Sequence, residues 1–138
     1  MPPSANEQEA EPFAAAVRGQ RLAVAAEALY LLNLLLLPVL AFLVLAWLFG
    51  RNVQTAPPLA ACHLRQTMAA SLWAGVLLVI ANLIIIGLGG YDRPFTWVVG
   101  ILYFTMGHTT LVVLGTVGLA KAMAGQPFRF PLVGARCE

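Results

Sequence analysis

The sequence predicts an all-α integral membrane protein, a bundle of three transmembrane helices at about residues 29–49, 68–88 and 95–120. Composition is the first observation. Of 138 residues, 60% are hydrophobic and 10% are charged, against about 25% charged in an average soluble domain. A water-soluble fold of this size could not cover its surface with so few charges. The second observation is a mean hydropathy of +0.82. The third is the spacing of the charges. Glu27 to Arg51 encloses 23 uncharged residues, Arg65 to Asp92 encloses 26, and Arg93 to Lys121 encloses 27. Each gap exceeds the roughly 20 residues that a helix needs to cross the hydrocarbon core.

Residues 1–28 read as a polar N-terminal tail. Pro2 and Pro3, then Glu7, Glu9 and Glu11, predict a disordered or loosely helical segment. No basic region and short apolar core precede a cleavage site, so the first span is read as retained. Glu27, with Arg18 and Arg21 before it, reads as part of an interfacial ion pair. Span 1 is Leu-rich, and Pro38 near its middle predicts a kink. Trp47 sits near its end, where an indole suits the headgroups. Gly50 ends the helix and Pro57-Pro58 breaks the chain. A helix restarts from Leu59, with Cys62, His63, Arg65 and Gln66 at its opening. Span 2 closes at Gly87, Gly89 and Gly90. The turn from Tyr91 to Pro94 is short, which makes spans 2 and 3 an antiparallel hairpin. Residues 29–120 thus form the membrane domain, and 121–138 a basic interfacial tail.

Three crossings put Arg18, Arg21 and Arg93 on one side and Arg51, Arg65, Lys121, Arg129 and Arg136 on the other. Lysine and arginine favour the cytoplasmic side. The expected location is the bacterial inner membrane, multi-pass, with a cytoplasmic C-terminus and an external N-terminus.

Small and polar residues hold membrane bundles together. Ser71, Gly75 and Asn82, with Gly89, share one face of span 2, and Asn82 is the expected cross-bonding group. Gly100, Gly107 and Gly118 share a face of span 3. Thr105, Thr109 and Thr116 lie nearly opposite, unless they merely bond back to their own helix.

Candidate chemistry is sparse. His63 and His108 are the two histidines. His108, inside span 3, reads as a neutral group bonded to Asn33 or Asn82, with a proton-relay or metal role as the sharper alternative. Cys62 and Cys137 have no metal-site spacing, and on the cytoplasmic side they are expected as free thiols. No span holds a carboxylate, and Ser71 has no hydrolase partners. No phosphate loop or haem attachment pair occurs. No catalytic residue, metal or cofactor is expected. The basic residues are scattered singly, which is no nucleic-acid footprint.

Three stretches, LAWLFGR (45–51), HLRQT (63–67) and AKAMAGQPFRFPL (120–132), together resemble a family of small bacterial three-span proteins, a domain of unknown function. That family is distantly similar to the chloroplast inner-envelope import component of the Tic family. His63, Arg65 and Gln66 match the motif that opens a span. Lys121, Gly125, Phe128, Phe130 and Pro131 match the closing tail. Thr67, Met68 and Ala69 depart from the Ala-Leu that usually follows. The resemblance covers residues 29–133 and implies a fold and an inner-membrane location, with no activity. In physical terms, Arg65 can reach phosphates and Gln66 a neighbouring helix. Phe128 and Phe130 flank Arg129 ahead of Pro131, as in a tail lying along the membrane surface.

The expected function is a small non-enzymatic accessory or structural subunit of a larger membrane assembly. Its expected partners are the bilayer and another membrane protein or further copies of itself, without nucleic acid. The alternatives are a homo-oligomeric channel or transporter component lined by the threonines, Asn82 and His108, and a His108-dependent metal or redox protein.

Overall fold

The structure is a computed structural model. It describes residues 5–131 and 134–136, with side chains from residue 14 onward. Among the described residues there are four helices and no strand: α1 (Ala5–Leu35), α2 (Pro38–Asn52), α3 (Pro58–Gly87) and α4 (Pro94–Met123). The last three each begin on proline, whose missing N–H is harmless in a first turn and whose fixed φ is already helical.

Two expectations need correction. The N-terminal tail is not loose from residue 5 onward, because α1 runs unbroken to Leu35. Its Ala, Glu, Gln and Arg content favours helix. The first span is also not one kinked helix over 29–49. It breaks at Leu36–Leu37. Pro38 forces the residue before it out of helical geometry, and Leu37 sits at φ −132°, ψ 68°. The Leu36 and Leu37 amides both donate to the Leu32 carbonyl, at 3.0 and 2.9 Å, which closes α1.

Beyond the break, α2 returns along α1. Ala26, Leu45 and Leu64 share one buried cluster, flanked by Leu22, Leu29, Leu48 and Phe49. A methyl group on Gly19 would lie 3.1 Å from the Pro57 Cβ. In a single straight helix, residues 26 and 45 would be about 28 Å apart. Segment 29–49 is therefore part of a helical hairpin. Its second arm, 15 residues long, measures about 22 Å, short of the ~30 Å hydrocarbon core.

The helices α3 and α4 are each 30 residues long and apolar enough to cross a membrane. A third crossing is not shown. α1 runs antiparallel to α4, since Gln20 Nε2 donates to the Met123 carbonyl (2.6 Å) and Tyr30 OH to that of Leu111 (3.3 Å). It runs parallel to α3, with Glu27 against His63 and Tyr30 near Ala70. Above the α1–α2 hairpin, α3 and α4 continue alone as a second hairpin. Tyr103 OH donates to the Leu77 carbonyl at 3.1 Å, and the outward side chains there are exposed Leu, Ile, Val and aromatic residues. Gly89 and Gly90, at φ 100° and 81°, make the turn at its tip, a conformation glycine adopts without strain.

Both ends of the described chain thus lie toward one end, the base. Arg18, Arg21, Arg51, Arg65, Lys121, Arg129 and Arg136 belong to this end, whereas Asp92 and Arg93 lie at the tip. The division expected from three crossings, three basic residues against five, is replaced by seven against one.

A disulfide test separates the hairpin from a straight span. With Cys62 and Cys137 replaced by Ser, Gly19→Cys and Pro57→Cys are expected to form an intramolecular disulfide, because their Cβ atoms, 3.1 Å apart, need to separate by only a few tenths of an ångström to reach bridging geometry. Absence of the bridge in folded protein would restore a through-going first span.

Candidate functional site

The polar side chains of the base form one buried knot. Glu27 on α1 and His63 on α3 are both fully buried, with Glu27 Oε1 2.6 Å from His63 Nδ1. His63 Nε2 lies 3.0 Å from the Gln126 carbonyl oxygen. That oxygen can only accept, so Nε2 carries a hydrogen and donates. One further proton then lies between Nδ1 and the carboxylate, and the pair is neutral overall whichever atom holds it. Burial pushes the Glu27 carboxyl above the ordinary carboxylate range, against the opposing pull of His63. Among the described residues, Glu27 Oε2 is buried without a hydrogen-bond partner.

Glycines on α4 make room for this arrangement. A Cβ on Gly118 would lie 2.6 Å from Glu27 Oε2, and one on Gly115 2.6 Å from the Tyr30 ring. Glu27 and Tyr30, three apart on α1, thus face Gly115 and Gly118, three apart on α4, as the helical repeat allows.

The C-terminal segment straps this knot from outside. Gly125, at φ 66°, ends α4 in the left-handed cap position that favours glycine. Lys121 Nζ donates to Gln126 Oε1 at 2.8 Å. Gln66 Oε1 accepts from the Phe130 amide at 3.2 Å, and Gln66 Nε2 donates to the Ala135 carbonyl. Phe130 is buried between Tyr30 and Phe128, at ring-centroid distances of 5.5 and 5.2 Å. Cys62 Sγ sits 3.8 Å from the Phe128 carbonyl oxygen.

Several expectations change here. Glu27 is not part of an interfacial pair with Arg18 or Arg21; it is the buried partner of His63. The tail does not lie along a surface as a whole. Phe130 is core and Phe128 half-buried, whereas Arg129 and Pro131 stay exposed. The tail turns inward because Gln66 offers both a donor and an acceptor to its backbone. Cys62 is disulfide-bonded rather than free; Cys137 lies outside the described residues.

Of the face Ser71, Gly75, Asn82, only Ser71 is buried. Among the described residues, nothing approaches within 4 Å of a Cβ placed on Gly75. Asn82 does not cross-bond a neighbouring span. Its amide donates to the Leu78 carbonyl (2.9 Å) and its Oδ1 accepts from Tyr91 OH (2.6 Å), because the Gly-Gly turn folds Tyr91 back. On α4, Gly118 meets α1 and Gly100 meets Ile85 at 3.6 Å, but Gly107 meets nothing. Thr116 bonds back to the Val112 carbonyl at 2.8 Å. Thr105 and Thr109 are exposed, and Arg65 is half-buried. His108 stacks on Phe104 with centroids 5.0 Å apart, far from the knot.

Sequence reasoning missed Glu27, Tyr30, Gly115 and the Gln126 carbonyl as members of the site. The available signal was a Glu-x-x-Tyr pair opening an apolar run, facing a Gly-x-x-Gly pair near the end of the last one. Among the described residues no group of three or more His, Cys, Asp or Glu could hold a metal ion. Comparison with family models, curated proteins and solved structures finds no match to this chain.

The two kinds of glycine on α4 are expected to behave differently. Gly118→Ala forces a methyl group into the carboxylate and costs about 1–3 kcal/mol. Gly107→Ala meets open space and leaves stability unchanged or slightly raised. Thermal unfolding in detergent, followed by circular dichroism, measures both. Equal effects would contradict the packing of Glu27 on Gly118.

Proposed function

We propose that the chain is a non-enzymatic, multi-pass protein of the bacterial inner membrane that serves as an accessory subunit of a larger membrane assembly. The observation that carries this reading is a division of labour. Side chains capable of chemistry at the base (Glu27, His63, Gln66, Tyr30) tie the helices and tail to one another. The upper part of α3 and α4, by contrast, offers a broad apolar surface on which Gly75 and Gly107 meet nothing. Small residues let the backbone of another helix approach closely, so the partner of choice is a transmembrane helix of a different protein.

In this reading α3 and α4 cross the bilayer, while α1 and α2 enter and leave from the same side. The Leu36–Leu37 break would then lie within the membrane. Its polar backbone is partly satisfied there, because both leucine amides are bonded and Pro38 has no N–H. The seven-to-one distribution of Lys and Arg supports a cytoplasmic base, with both termini inside.

Two experiments test the proposal. Native protein extracted in mild detergent is expected to bring a stoichiometric partner, identified by mass spectrometry. Gly107→Leu is expected to lose that partner while keeping the wild-type melting temperature. A lone chain, or a partner retained by the variant, counts against the accessory role. Orientation is read from Asp92→Cys at the tip, with Cys62 and Cys137 replaced by Ser. With the base in the cytoplasm, a membrane-impermeant maleimide added to spheroplasts should label this cysteine. Labelling only after permeabilisation would put the base outside.

A further inference from the structure

The outer face of α2 joins an apolar stripe to a cation. Leu40, Leu43, Val44 and Trp47 are all about half exposed or more, and their spacing keeps them on one side of the helix. The opposite side carries Ala41 and Leu45, which are buried. Arg51 follows four residues after Trp47, and its guanidinium carbon stands 5.2 Å from the centroid of the indole. The stripe from Leu40 to Arg51 is about 16 Å long, close to one leaflet, half of the ~30 Å core. Among the described residues Arg51 has no carboxylate partner. Glu27 is buried against His63, and Asp92 lies at the opposite end of the molecule. Asn52, beside it, is turned to its own helix, donating to the Leu48 carbonyl at 2.9 Å.

The geometry points to a seat for one anionic phospholipid on this face. The lipid phosphate sits on the Arg51 guanidinium, which donates to its oxygens. The glycerol region lies beside Trp47, an indole at headgroup level. One acyl chain runs along Val44, Leu43 and Leu40 toward the Leu36–Leu37 break. A lipid with no positive headgroup is preferred, because a choline cation would compete with Arg51 for the phosphate. The seat rests on the membrane reading proposed above, and it gives the short α2 arm a lipid neighbour of matching length.

The test uses the full chain in phosphatidylcholine vesicles with and without phosphatidylglycerol. Flotation with pure phosphatidylcholine checks insertion alone, and failure there overturns the membrane reading together with the seat. Lipid retained on the extracted protein is then measured by native mass spectrometry. Wild type is expected to retain phosphatidylglycerol in preference to phosphatidylcholine. Arg51→Gln is expected to weaken that preference about fivefold, the effect of one basic residue at a membrane surface. Arg129→Gln, exposed at the same end, should keep it. Undiminished preference in Arg51→Gln, or an equal loss in Arg129→Gln, overturns the seat. So does inorganic phosphate alone if, in detergent, it stabilises wild type but not Arg51→Gln, since the site would then be an ion site.

Discussion

A carboxylate and an imidazole, both removed from solvent and 2.6 Å apart, set the terms for the rest of this molecule. Removing an ion from water costs several kcal/mol, repaid only by close geometry and further hydrogen bonds. Glu27 and His63 meet that condition as a pair, with the Gln126 carbonyl taking the remaining imidazole hydrogen. The consequences spread outward. α1 and α3 must run side by side in a fixed register. α4 must present glycine where the carboxylate lies. The chain after α4 must turn at Gly125 so that a backbone carbonyl reaches His63. Such a pair acts less as a source of stability than as a choice of register, since alternative packings would strand a buried charge.

The second constraint is covalent. Pro38 has no N–H to continue a helix, and it drives Leu37 into extended geometry. The chain therefore doubles back, and the short α1–α2 hairpin covers only the lower part of the longer α3–α4 hairpin. Most of the buried polar side chains gather at the base, and the surface above it is largely apolar. The same turn moves Arg18 and Arg21 to the side of Arg51, Arg65 and Lys121. A molecule whose basic residues looked divided between two sides becomes strongly one-sided.

The sequence made the all-α class and the two long apolar helices plain, because runs of 26 and 27 uncharged residues have few other uses. It also marked His63, Gln66, Phe130 and Gly118, which do meet at the base. The hairpin was less legible. A mid-span proline is compatible with a kink or with a full reversal, and the deciding contacts, Gly19 with Pro57 and Ala26 with Leu45, are tertiary. Glu27 was masked by its neighbours Arg18 and Arg21, which offered a simpler partner about two turns away along the chain. The glycine faces were overextended for a related reason. Periodicity groups Gly100, Gly107 and Gly118 on one side of a helix, but α1 ends below the level of Gly107 and so touches only the last of them.

The most direct measurement is a double-mutant cycle on Glu27 and His63 by thermal unfolding in detergent, with Glu27→Met and His63→Leu made singly and together. Each single substitution strands the other polar group, at a cost of about 3–5 kcal/mol. The double variant is expected to cost clearly less than the sum, by more than about 1 kcal/mol. Additive losses would mean that the two side chains act independently, and would contradict the claim that their pairing organises the fold.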